Sequence, residues 1–367
     1  MKIARITAYA LELPLREPYM LSRGRRFEGF DSTFIRIDTD EGITGWGEVC
    51  PWGSTYLPAF TGGVRAAVAE IAPHLLSLDP RQPDVITRVM DRALTGHAYA
   101  KAGMDYAMWD IMGKAAGLPV SELLGGAESE AIPLISSIHV ASPEAMLDDV
   151  EYWRSLGYRR HSIKVGEDVD ADIARVRFLA AKRQAGEVFG FDANGGWAPW
   201  EAVRVLNAVG GLDAWFEQPC LTYEECLSVR SQTTQALSLD ECMMELRDVV
   251  RAINDRACEV INVKLARVGG ITKARPIRDL CMAFDIPMMI MCMAGTVIND
   301  SAVAHFVSTL PANRCVGTWS CQEMVTVDSA PGRGARNVSG SLTLPTGPGL
   351  GVEPDLDRLG EAIAVFR

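Results

Sequence analysis

The sequence predicts an α/β protein built on a (β/α)8 barrel of the TIM type, and two observations predict it. From about residue 130, β-rich segments recur with amphipathic stretches between them, starting near Ile132, His161, Val188, Asp213, Ala236, Glu259, Pro287 and Arg314. Eight such segments at intervals of 23 to 29 residues read as successive βα crossovers, and eight parallel strands with short crossover helices close into a barrel. The second observation is chemical. Such barrels place their active site at the carboxyl ends of the strands, and the residues at or just past those ends are Ser136, Lys164, Asp192, Glu217, Asp240, Lys264, Cys292 and Trp319. At about 150 residues per folding unit, a chain of 367 residues also has room for a second domain.

Taken in order, strands three, four and five each end in a carboxylate: Asp192, Glu217 and Asp240. A lone Asp after a strand is ordinarily a helix N-cap. Three on neighbouring strands, only ~4.8 Å apart, would repel one another across a water-poor barrel mouth, and a cation relieves that repulsion. Oxygen ligands without His or Cys favour Mg2+ over Zn2+. Strands two and six end in Lys164 and Lys264, which fall on opposite sides of the barrel, as two groups facing both sides of one substrate carbon would. To act as a base near neutral pH, a lysine must fall about 2 to 3 units from its reference of ~10.4, and a nearby cation would lower it. Asn194 and Glu241, beside the carboxylates, are candidates for orienting them.

Composition excludes several other classes. The most apolar uncharged run, Ile286 to Asn299, holds 14 residues, short of the ~20 of a membrane span. Glu12 and Arg16 interrupt the first apolar stretch, so no secretory signal is read and a cytoplasmic location is expected. Nine scattered cysteines without a Cys-x-x-Cys pair suggest neither disulfides nor a zinc knuckle. A formal charge of −11 without a basic run argues against nucleic acid as a partner.

The motifs Asp192-Ala193-Asn194-Gly195-Gly196-Trp197, Glu217-Gln218-Pro219, Asp240-Glu241 and Lys264 followed by Arg267-Val268-Gly269-Gly270 resemble the enolase superfamily. In that superfamily lysine bases work with Mg2+-stabilised enediolates. The resemblance implies three parts: residues 1–125 as an α+β capping domain, 126–322 as the barrel, and 323–367 as a segment returning to pack on the cap. Cap strands are expected around Lys2 to Leu13, Ser32 to Asp38 and Ile43 to Glu48, with helices through Leu123. Within the muconate-lactonising/mandelate racemase-like group that the chain resembles, strand seven, Met289 to Met293, offers no histidine base, so a lysine on each face resembles the muconate-lactonising members. Their Lys-x-Lys motif is Ser162-Ile163-Lys164 here, without the first lysine.

Further segments, among them Cys50 to Tyr56, Gly96-His97 and Pro331 to Asn337, are similar to cis-3-hydroxy-L-proline dehydratases and hydroxyproline betaine 2-epimerases. That similarity implies a small amino-acid-like carboxylate as substrate and a homo-oligomer. A ring ammonium suits an aromatic wall, for which Trp52, Tyr56 and Trp319 are the candidates, with Ser136 as a further substrate contact. Arg23, Arg25 and Arg26 lie in a cap loop that by resemblance closes over the site. In cis-3-hydroxy-L-proline the α-hydrogen and the hydroxyl occupy opposite ring faces, so two opposed lysines suit anti loss of water to Δ1-pyrroline-2-carboxylate. With a 4-hydroxyl or none, the same pair returns a proton to the far face and epimerises. Acid-sugar dehydration and non-catalytic binding of a small acid are compatible with the same residues.

Overall fold

The computed structural model describes residues 1–21 and 24–367. A four-stranded antiparallel sheet forms the cap: Ile3–Leu21 pairs with Arg25–Thr39, which pairs with Thr44–Val49, and Ala364–Phe366 from the chain end joins the free edge of the first strand. The first strand continues well past Leu13. A register shift between Pro14 and Tyr19 absorbs Pro14, which cannot donate to a ladder, and the strand resumes with Tyr19, Met20 and Leu21 facing Phe27, Arg26 and Arg25. This extension carries Tyr19 and Leu21 to the barrel mouth.

Helix Ala98–Ala116 packs across the cap sheet, its long apolar run buried on nearly all sides. The approach is close because Gly45 and Gly47 lack side chains: a Cβ on Gly47 would lie 1.9 Å from the Gly103 carbonyl oxygen, and one on Gly45 2.1 Å from that of Ala107. Only glycine permits that contact.

The barrel strands are Ile135–Ile138, Arg160–Lys164, Val188–Asp192, Trp215–Glu217, Ala236–Leu239, Val260–Lys264, Met288–Met291 and Cys315–Gly317, parallel and hydrogen-bonded in chain order. Closure is made beside the last strand: the Ile135 amide donates to the Thr318 carbonyl at 2.7 Å and the Thr318 amide to that of Pro133 at 3.0 Å. The first strand therefore starts at Ile135. Ile132 belongs instead to Ala131–Pro133, which pairs antiparallel with Ser341–Thr343 of the C-terminal segment, so one β-rich run serves two sheets. Helices between strands begin where side chains cap them, as Ser142, Asp168 and Thr222 do by accepting from amides three residues on. Among the described residues, no helix is long and apolar enough to cross a membrane, and the nine cysteines are free thiols.

Candidate active site

Strand register places the reactive groups. Lys164 lies beside Asp192, Asp192 beside Glu217, and Glu217 beside Ser238, so the third carboxylate, Asp240, stands two residues beyond that row. All three carboxylates and both lysines are buried. Lys164 Nζ is ion-paired with Asp192 Oδ2, and Lys264 Nζ with Asp240 Oδ2. The lysines thus flank the carboxylate row from opposite sides of one pocket, which both line.

A second layer fixes the carboxylates. Asn262 Nδ2 donates to Glu217 Oε1 at 2.6 Å. The Asn194 amide donates to Asp192 Oδ1 at 2.9 Å, and its Nδ2 reaches Asp192 Oδ2 and Glu241 Oε1, each at 3.0 Å. Asn194 and Gln218 hold left-handed backbone, φ 45° and 38°, and Gln218 Oε1 accepts from the Asp240 amide at 3.0 Å, tying the fourth loop to the fifth. Arg267, fully buried, puts Nη1 2.7 Å from Asp240 Oδ1 as a charge contact without hydrogen-bond geometry.

Electrostatics set Glu217 and Asp240 apart. Burial, then Asp192 and Asp240, push Glu217 well above the usual carboxylate range. Burial also raises Asp240, but Arg267 and Lys264 outweigh it and hold it at about 2. Burial lowers Lys164, but Asp192, Tyr19 and Glu217 outweigh it and hold the ammonium above its ordinary value, the reverse of the lowering expected from sequence. The ion pair with Asp192 is the reason.

Among the described residues, no three His, Cys, Asp or Glu side chains converge closely enough to coordinate an ion as they stand, because ammonium groups are paired to the outer two carboxylates. The donor set nevertheless fits a hard cation. It is all oxygen, one carboxylate is driven toward protonation by burial and then by its acidic neighbours, and buried oxygens of Asn194, Glu241 and Asn262 lack hydrogen-bond partners around it.

The aromatic candidates Trp52, Tyr56 and Trp319 all line the pocket. Trp52 packs between the other two at ring separations of 5.9 and 5.7 Å, and its Nε1 donates to the Met293 carbonyl at 2.7 Å, anchoring the cap loop to strand seven. Tyr56 holds its hydroxyl 3.5 Å from Asp240 Oδ2, with Lys264 Nζ 6.0 Å from its ring.

Ser136 is a correction. Its Oγ is bonded to His161 Nδ1 at 2.7 Å inside the protein, and it is Ser137, paired in register with Ser162, that faces the pocket. Side chains alternate along a strand, so a slip of one residue reverses the face. The arginine loop is also revised: Arg25 and Arg26 lie in the second cap strand, Arg26 pairs with Glu28 on the surface, and Arg25 lies over the Tyr56 ring at 5.2 Å. Arg23 lies outside the described residues.

Sequence reasoning missed Tyr19, Leu21, Ser137, Ser162, Asn262, Met289 and Met291 as pocket residues. Period two counted back from Lys164 and Lys264 finds Ser162 and Asn262; nothing in the barrel pattern points to Tyr19, which arrives from the cap.

Comparison with known proteins places this architecture. Residues 145–358 match the enolase C-terminal domain-like family, and residues 5–125 match the N-terminal domain of mandelate racemase and muconate lactonizing enzymes. The chain belongs to the enolase superfamily, and it is an enzyme of that superfamily. Among its relatives is a cis-3-hydroxy-L-proline dehydratase of Roseibium aggregatum, 43% identical over 367 residues and 100% of both chains. A hydrophobic dipeptide epimerase of Enterococcus faecalis is 32% identical over 83% of this chain and 86% of its own. A crystal structure of an enolase-superfamily member from Roseovarius nubinhibens, complexed with magnesium, superposes with a TM-score of 0.96 at 44% identity, covering 100% of this chain and 99% of that one.

Proposed function

We propose that the protein is a Mg2+-dependent dehydratase that converts cis-3-hydroxy-L-proline to Δ1-pyrroline-2-carboxylate. The observation that carries the reading is the pair Lys164 and Lys264, which line one pocket from opposite sides of three buried carboxylates. Its support in substrate class is the relative that covers the whole chain at 43% identity.

Asp192, Glu217 and Asp240 would hold Mg2+, which when bound supplies positive charge for the substrate carboxylate and for the negative charge that spreads onto it as the α-proton leaves. Asn194, Glu241 and Asn262 keep those ligands oriented, and Arg267 keeps Asp240 ionised. With the carboxylate so fixed, the α-carbon lies between the lysines, one of which takes its proton while the other protonates the departing hydroxyl. The enamine then moves a proton from nitrogen to carbon and becomes the cyclic imine. Trp52, Tyr56 and Trp319 wall the ring and exclude water.

A second reading, 2-epimerisation of hydroxyproline, proline or their betaines, is favoured by the same lysine pair, which can return a proton to either face, and by the epimerase among the relatives. Proton NMR in deuterated water with Mg2+ separates the two. Loss of cis-3-hydroxy-L-proline to pyrroline-2-carboxylate establishes the dehydratase. Deuteration and inversion of proline, 4-hydroxyproline or a betaine without loss of water establishes the epimerase and removes the first reading.

A further inference from the structure

The two lysines do not face alike surroundings. On the Lys164 side, Ser137 and Ser162 sit side by side in register on strands one and two, Lys164 is the next inward residue after Ser162, and the Tyr19 hydroxyl is bonded to Ser137 Oγ. All four line the pocket. Tyr19 is wedged edge-on between Trp52, 4.9 Å between ring centres, and His139, 4.5 Å, so its hydroxyl is held in place. On the Lys264 side the neighbour in register is Met291, and Met289, Cys292 and Met293 complete a wall of sulfur and hydrocarbon. The hydrogen-bond donors near it are already engaged: Asn262 Nδ2 donates to Glu217, the Tyr56 hydroxyl is turned to Asp240, and Cys292 donates to Asn299 Oδ1 at 2.8 Å.

An anti elimination makes unequal demands on the two faces. The face that loses hydrogen needs only a base. The face that loses oxygen must hold a hydroxyl, follow it as it becomes water, and satisfy its hydrogen bonds, because a buried polar group left unpaired is costly. Resting on the dehydratase reading, we infer that Tyr19 and Ser137 form the binding site for the leaving hydroxyl, and that Lys164 is the acid that protonates it while Lys264 faces the α-hydrogen. Of the two hydroxyl protons that Tyr19 and Ser137 carry, one is spent on their mutual bond, and the other donates to the substrate oxygen.

The electron count closes. The lone pair of neutral Lys264 Nζ takes the α-proton, and the C–H pair moves onto the carboxyl group. It returns to form the bond between the α- and β-carbons as the C–O pair leaves with oxygen, which takes a proton from the Lys164 ammonium and departs as water. One lysine has gained a proton and the other has lost one, and exchange with solvent resets both.

The test follows α-deuteration of unreacted cis-3-hydroxy-L-proline in deuterated water beside its dehydration, with Mg2+ present. The wild-type protein must dehydrate the substrate; if it does not, the dehydratase reading falls and the inference with it. Lys164→Met is expected to lose dehydration by about 10²–10⁴-fold yet still place deuterium at the α-carbon with retention, because Lys264 returns a deuteron from its own exchanged ammonium. Lys264→Met is expected to show neither. The opposite pattern, with exchange surviving only in Lys264→Met, overturns the assignment. Tyr19→Phe keeps the ring packing, and Ser137→Ala removes one oxygen; each should raise the ratio of exchange to dehydration about tenfold. If both reactions fall together in both variants while circular dichroism and the melting temperature stay unchanged, the hydroxyl site is refuted.

Discussion

Asp300 shows how a single buried acid sets a pH dependence. It lies in the first turn of helix Val297–Val307, where Ser320 Oγ and Gln322 Nε2 both donate to its Oδ2 at 2.7 Å. Burial, together with the charges of Glu48 and Glu323, outweighs those bonds and raises it to about 7. The folded chain therefore binds a proton that the unfolded chain gives up near pH 4, so stability from this group is present at acid pH and lost as pH rises to about 7. Urea unfolding at pH 5 and pH 8 should show the advantage of Asp300→Asn over wild type growing by on the order of 2 kcal/mol or more from the lower pH to the higher. An equal effect at both pH values would contradict this. At this scale the carboxylates and lysines were legible in the sequence because like charges at consecutive strand ends repel unless positive charge joins them. Ser137 was not, since it differs from Ser136 by one step of the pleat, and neither was Tyr19, whose strand runs on past a proline that normally stops one.

Among the elements, the tight contact between the cap sheet and helix Ala98–Ala116 bears on the site, because the same sheet delivers Tyr19, and Glu48, next to Gly47, clamps the barrel. Glu48 accepts from the Thr296 amide at 2.8 Å, from Thr296 Oγ1 at 2.7 Å and from the Asn299 amide at 3.2 Å, satisfying the start of helix Val297–Val307 with a carboxylate from the other domain. Gly47→Ala forces a Cβ against the Gly103 carbonyl and should cost about 3 kcal/mol or more, read as a fall in the denaturation midpoint. A stability within about 0.5 kcal/mol of wild type, the size of an ordinary surface change, would mean that sheet and helix separate freely. The barrel repeat was readable because each βα unit restates the same pattern. The split of residues 131–138 between two sheets was not, since the partner of its first half lies far downstream in the chain, at Ser341–Thr343.

In the whole molecule, a cap that walls the pocket meets a barrel that carries the chemistry. On the proposed reading, a cation seated among Asp192, Glu217 and Asp240 relieves the repulsion that drives Glu217 toward protonation. Mg2+ at about one hundred times its Kd should add about 2.7 kcal/mol and raise Tm by about 3–4 °C, an effect absent from Asp192→Asn. A Tm that EDTA and Mg2+ leave unmoved would mean that the carboxylates hold no metal. Whether opposed lysines carry out a dehydration across the ring is decided by comparing kcat/KM for cis-3-hydroxy-L-proline with that for its trans isomer, whose hydroxyl lies on the same face as the α-hydrogen. A preference for the cis substrate of about 10³-fold or more is expected, since the trans isomer offers its leaving group to the wrong lysine. Equal turnover of the two isomers would contradict the opposed-lysine mechanism.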